Sequence, residues 1–89
     1  MSHNITRKME LNSTDFYVEV EAPLVAERFK AGNFAVLITN PHGERIPMSI
    51  MKAEDGKISM FIARLGKTSM ELYKTLDTFE HVIGPWVTP

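Results

Sequence analysis

Arg45 and Ser49 stand four residues apart in the segment Arg45-Ile46-Pro47-Met48-Ser49-Ile50. The proline between them lacks a backbone N–H and cannot donate to a β-ladder. A segment of this kind leaves polar groups available to a ligand, and arginine suits a phosphate through paired hydrogen bonds. The plainer reading is a surface arginine and a strand serine beside a bulge. A second cluster is Gly66-Lys67-Thr68-Ser69, where a strand is expected to give way to a helix. Unpaired N–H groups and the helix dipole favour an anion there. Gly66 permits close approach, Lys67 brings charge, and Thr68 and Ser69 bring hydroxyls. The spacing is not that of a Walker loop, and a capped helix after a turn explains the same residues. The third feature is Gly84-Pro85-Trp86, whose aromatic ring either stacks on a planar ligand or plugs the end of the fold.

Other chemistry is poorly supplied. The chain has no cysteine, which excludes disulfides, thiolate zinc sites, iron–sulfur ligation and a cysteine nucleophile from these residues. His3, His42 and His81 are scattered and lack metal-ligand spacing. No Ser/His/Asp arrangement or acid–base carboxylate pair is evident. Met48, Met51, Met60 and Met70 read as core filler.

The elements that must carry these residues are short. Residues 5–11 read as a first strand. Residues 14–22 alternate, with Phe16, Val18, Val20 and Ala22 on one face and Tyr17, Glu19 and Glu21 on the other, the period of a half-buried strand. Pro23 stops it, and residues 24–29 read as a short helical turn. Ala31-Gly32-Asn33 signals a turn. Residues 34–39 read as a central strand, apolar on both faces. Asn40-Pro41-His42-Gly43 is a tight-turn sequence, and His42 within it is expected to be solvated. Residues 45–51 resume extended structure, with Pro47 implying an edge or bulge. Asp55-Gly56 suits a hairpin turn into a strand at 57–65. Thr68-Ser69-Met70-Glu71 has capping-box spacing, so a helix is expected to start near Thr68 with Leu72, Tyr73 and Leu76 on one face. Residues 79–83 read as a last strand, closed by Gly84-Pro85. Six short strands and one short helix suggest an all-β domain, an antiparallel barrel whose closure removes exposed edges.

Eighty-nine residues make one domain with a small core. A net charge of −1 argues against a nucleic-acid partner. No apolar run approaches the roughly 20 residues of a membrane span, and the polar first ten residues do not resemble a signal peptide. A cytoplasmic location is the expectation.

The order of these features says more than each alone. Phe16-Tyr17-Val18-Glu19-Val20-Glu21-Ala22-Pro23-Leu24, Ala31-Gly32-Asn33-Phe34, Gly43-Glu44-Arg45-Ile46-Pro47-Met48-Ser49-Ile50, Gly66-Lys67-Thr68-Ser69-Met70-Glu71-Leu72 and Gly84-Pro85 follow one another along the chain. Together they resemble the N-terminal flavin-binding barrel of the ferredoxin–NADP reductase superfamily. The likeness points in particular to the electron-transfer subunits of dihydroorotate dehydrogenase, sulfide dehydrogenase and the NAD-dependent ferredoxin–NADP reductase small subunit. It covers roughly residues 5–85, and Glu44-Arg45-Ile46-Pro47 is its most specific part.

The resemblance implies a six-stranded Greek-key barrel that binds FAD, with FMN the less favoured flavin. Arg45 would bind the pyrophosphate or ribityl chain, and Ser49 would lie near N5 of the isoalloxazine. The backbone of Pro47 and Met48 would pack on the ring, and Gly66, Lys67, Thr68 and Ser69 would hold the pyrophosphate. The chain departs from the pattern in three places. Met48 stands where plant-type members carry a ring-stacking tyrosine. Gly-Lys-Gly-Thr appears as Gly66-Lys67-Thr68-Ser69, and Gly-Pro-Leu-Gly as Gly84-Pro85-Trp86-Val87. The family's nucleotide-binding domain and its cysteine cluster are not expected within these residues. Nicotinamide chemistry, which needs donor and acceptor held together, would therefore require a second domain or a partner redox subunit. The rival reading is a flavin-free barrel serving as a binding or assembly module, with a homodimer as one form. Under either, Trp86 is expected to be buried, in a homodimer contact or over the barrel mouth.

Overall fold

The computed structural model describes residues 3–39, 43 and 45–87. Seven strands and two helices follow in the order β1 (His3–Glu10), β2 (Phe16–Glu21), α1 (Pro23–Arg28), β3 (Phe34–Ile38), β4 (Arg45–Glu54), β5 (Lys57–Ile62), α2 (Lys67–Thr75), β6 (Thr78–Phe79) and β7 (His81–Trp86). The strands form one sheet in the order β6-β1-β2-β5-β4-β3-β7, and every neighbouring pair is antiparallel. It curls into a nearly closed barrel. β3, β4 and β5 are consecutive neighbours, while β2 lies beside β5 and reaches β3 only through α1, a Greek-key connection.

Alternation sets which face is inside. Phe16, Val18 and Val20 of β2 meet Ile58, Met60 and Ile62 of β5 in register, all buried. Ala35 and Leu37 of β3 join them with Met48 and Ile50 of β4. The Asp55-Gly56 turn has positive φ at both residues, 52° and 76°, the form whose twist matches flanking strands. Tyr73 of α2 fills the end of the barrel, its ring 6.3 Å from those of both Phe16 and Phe79.

Several expectations need correction. Among the described residues there are seven strands rather than six, because the last extended segment breaks at Glu80. Its first piece, β6, pairs with β1, and its second, β7, pairs with β3 at the other edge. The short helical turn expected at 24–29 is a six-residue helix, α1, with Pro23 in its first turn, a position that costs no hydrogen bond, so the described residues hold a second short helix beside α2. α2 begins at Lys67, with Gly66 at its N-cap and no side-chain cap, so Thr68-Ser69-Met70-Glu71 is not a capping box. Met70 and Tyr73, three residues apart, are the buried residues of α2. That pair sets the helix's rotation and leaves Leu72 43% exposed. Met48, Met60 and Met70 are core residues, but Met51 is 59% exposed. The turn expected at residues 40–43 lies outside the described residues except for Gly43.

Candidate functional site

β4 is paired on both sides for only part of its length. It pairs with β3 from Arg45 to Ser49, but with β5 only from Ile50 to Glu54. The register with β5 shifts between Ile50 and Lys52, where Met51 is the extra residue of a bulge. A bulge bends its strand and strengthens the local twist. Ahead of it β4 and β5 diverge, and a groove of about 580 Å³ opens between them. One wall is Ile46, Pro47, Met48 and Ser49. The other is Phe61, Ile62, Ala63 and Leu65, with Met51 beside the bulge.

The backbone at this edge has a defined polarity. The Ile50 N–H donates to the Asn33 carbonyl at 3.1 Å. In an antiparallel ladder alternate residues face the partner strand. Met48 and Ile46 therefore turn their backbone groups to β3, while Ser49 and Pro47 turn theirs away, to the groove side. A proline is tolerated at position 47 because no N–H is required there for the β3 ladder.

The segment leading into α2 is held in place. Leu65 donates its N–H to the Thr14 carbonyl at 2.8 Å, and Arg64 donates to Asp15 Oδ1 at 3.3 Å. Asp15 also receives Asn12 Nδ2 at 3.1 Å and the Thr14 hydroxyl at 3.0 Å. The Asn12 amide, then the Arg64 N–H and the Thr14 hydroxyl, hold the Asp15 carboxyl below its ordinary value of 3.8. At the other end of α2, Lys8 Nζ donates to the Lys74 and Leu76 carbonyls, each at 2.6 Å, meeting the negative end of the helix. Lys74 forms an ion pair with Glu10 at 2.9 Å, and hydrogen bonding to that carboxylate pushes its pKa up.

Gly66 at the head of α2 is unusual for what it does not need. Its φ is −70°, which any residue adopts, and a Cβ built on it would meet nothing within 4 Å. Neither backbone strain nor the chain's own packing requires glycine there. A helix N-terminus with open space over its first residue fits an approaching anion.

Pro47, Met48 and Ser49 are thus brought together on one wall of the groove. Ser49 and Pro47 are exposed, whereas the Met48 side chain is only 5% exposed and belongs to the core. Leu65 lines this groove and also a neighbouring one, which Lys67 lines with Glu10, Glu71 and Lys74. Arg45, at the start of β4, and Gly66, Thr68 and Ser69, at the start of α2, are exposed and do not line the first groove. Sequence reasoning took Met51 for core filler and passed over Phe61 and Leu65 as site residues. The break in alternation at Met51, between buried Ile50 and half-buried Ala53, becomes visible only once the strand register is known.

Trp86 is 48% exposed and does not fold over the barrel mouth. It pairs with Phe34, which pairs with Ser49 on its other side, so the three residues form one row across β7, β3 and β4. Gly84 is required by proximity: its φ is 146°, and a Cβ there would lie 3.1 Å from the Phe34 carbonyl oxygen. Among the described residues no group of three or more His, Asp or Glu side chains is arranged to hold a metal, and no helix is long and apolar enough to cross a membrane.

Fold and comparison with known proteins together make this chain a barrel of the ferredoxin–NADP reductase type. It is similar to an electron-transfer subunit homologue of NAD-dependent dihydroorotate dehydrogenase B from Thermotoga maritima, 32% identical over 98% of this chain and 32% of that protein. An uncharacterised protein from the adh 3′ region of Clostridium beijerinckii is 31% identical, over 98% of this chain and 31% of its own length. The solved structure of an NADH-dependent reduced ferredoxin–NADP oxidoreductase, described for flavin-based electron bifurcation, matches with a TM-score of 0.86 and 28% identity, over 98% of this chain and 33% of that one. The chain spans about a third of the length of these proteins. No protein-family model matches it.

Proposed function

We propose that the barrel is the flavin-holding part of an oxidoreductase that transfers electrons, and that its flavin is FAD, with FMN the lesser candidate. The observation that carries this reading is the stretch of β4 left unpaired on its β5 side, facing a groove whose opposite wall leads, through Leu65, into the N-terminus of α2, which has no side-chain cap. One end offers backbone polar groups and apolar walls to a planar ring. The other offers a helix dipole and open space to phosphate. A bound flavin would supply the redox chemistry.

The chain's own residues bind and orient. Ser49 would present its N–H and hydroxyl to the polar edge of the ring, near N5, and the backbone of Pro47 and Met48 would support it. Gly66, Thr68 and Ser69 would receive the pyrophosphate at the head of α2, with Arg45 and Lys67 neutralising its charge. The hydride donor would be held by a second domain or a partner redox subunit, since such transfer needs both reactants in one site. The lack of cysteine fits a reducing compartment such as the cytoplasm.

The protein reconstituted with FAD and freed of excess ligand should retain flavin absorption bands. A colourless product that also fails to bind FMN would refute the reading. Exposed Trp86 and Val87 favour a second one, in which the barrel is a flavin-free assembly module that pairs with a partner or with its own copy.

A further inference from the structure

In the resemblance read from the sequence, position 48 is where a tyrosine would stack on the ring. Here the position is methionine, and its direction is as important as its type. Met48 lies opposite Ala35 in the β3–β4 ladder and points into the barrel, 5% exposed, among the residues of the core. Turning it onto a ligand would open that core. The apolar surface available in the groove belongs to other residues. Phe61 is 38% exposed on the outward side of β5, and Met51 is 59% exposed. Both line the same groove as Ser49.

The bulge accounts for Met51. Regular alternation after inward Met48 and Ile50 makes position 51 an outward residue of an ordinary ladder. The extra residue instead displaces it from the pairing, since Ile50 faces Met60 and Lys52 faces Ser59. A bulge re-aims a side chain in this way. A thioether makes favourable contacts with aromatic rings, so Met51, on the same groove as Phe61, suits a flat aromatic ligand. Phe61 itself is fixed in place by the uninterrupted β2–β5 ladder, where it pairs with Tyr17.

We propose that Phe61, assisted by Met51, forms the face on which the flavin's ring system lies, replacing the side chain that position 48 cannot present. The inference rests on the flavin-binding reading above and adds to it the residues that recognise the ring. A ring contact and a phosphate contact differ in what they discriminate. Losing Phe61 should weaken riboflavin, which has no phosphate, as much as FAD. Losing Lys67 should weaken FAD more than riboflavin.

The test is fluorescence titration of riboflavin and FAD into the wild-type chain and into Phe61→Ala, Met51→Ala and Phe61→Trp, with circular dichroism confirming the fold. Phe61→Ala should bind both flavins about tenfold more weakly, the scale of one aromatic stacking contact, and Met51→Ala should lose a smaller factor for both. Phe61→Trp should keep affinity and quench the emission of bound flavin, because a stacked indole transfers an electron to excited flavin. Wild-type affinity in both alanine variants would overturn the inference while leaving flavin binding intact. A wild-type chain that binds neither flavin would remove both. Should Phe61→Ala fail to fold, Phe61→Trp decides: bound-flavin emission equal to that with wild type would overturn the proposal.

Discussion

Asp15 accepts the backbone N–H of Arg64 at 3.3 Å, although 49 residues separate them in the chain. This bond and the adjacent Leu65 to Thr14 bond tie the turn before β2 to the segment that presents Gly66. A short acidic turn thereby fixes where the N-terminus of α2 stands relative to the groove.

The Asp15 bonds link stability to the protonation of this carboxyl. Its pKa is depressed in the folded state, so the unfolded chain binds its proton more readily. The stabilisation is present above the ordinary aspartate range and is lost as pH falls through the depressed folded value. Asp15→Ala should therefore melt below wild type at pH 7, and the gap should begin to narrow below about pH 4, where the carboxyl of the unfolded chain takes up its proton, and close only once the folded carboxyl is protonated too. Thermal unfolding monitored across pH measures this. A gap of equal size at pH 7 and pH 2.5 would show that the Asp15 charge contributes nothing.

Arg45 and Lys67 are both exposed cations, and they should separate by ligand. Arg45→Ala should weaken FAD by about 1.5–3 kcal/mol, the range for a hydrogen bond to a charged group. Lys67→Ala should weaken FAD more than riboflavin. Calorimetric titration of the two flavins distinguishes these effects, and equal losses for FAD and riboflavin in Lys67→Ala would place Lys67 away from the phosphates.

Gly84 should tolerate no side chain. Its φ of 146° and the 3.1 Å approach to the Phe34 carbonyl combine backbone strain with a clash against main chain. Gly84→Ala should cost about 1–3 kcal/mol, read as a lower urea midpoint with an unchanged slope. Gly66→Ala should leave stability within about 1 kcal/mol, since nothing in the chain occupies that space. Similar losses at both glycines would contradict the distinction drawn between them.

Much of this fold was legible because local signals agreed with it. The alternation of Phe16, Val18 and Val20 marked β2, and Asp55-Gly56 marked the β4–β5 hairpin. What escaped was set by tertiary packing. The division at Glu80 depends on β1 and β3 each claiming part of one extended segment. The rotation of α2 depends on Met70 fitting the core, which hydrophobicity alone does not distinguish from Leu72. At the site, Pro47 and Ser49 stood out by chemistry and sit together in the groove. Met51 and Phe61 did not, because an outward methionine and phenylalanine look like core residues until the bulge and register are known. Of the two ways in which Trp86 was expected to be covered, folding over the barrel mouth is overturned, because within the single chain β7 pairs with β3 and leaves Trp86 48% exposed.

The most direct test of flavin binding in the β4–β5 groove is a ¹H–¹⁵N correlation spectrum of the labelled chain titrated with FAD. A separate groove is lined by Arg28, Lys30, Asn33, Trp86 and Val87. Saturable shifts are expected at the amides of Ser49, Phe61, Leu65, Gly66 and Lys67, with those of Lys30 and Val87, at this Trp86 groove, little changed. Absence of shifts at saturating FAD, or shifts centred on the Trp86 groove instead, would contradict it.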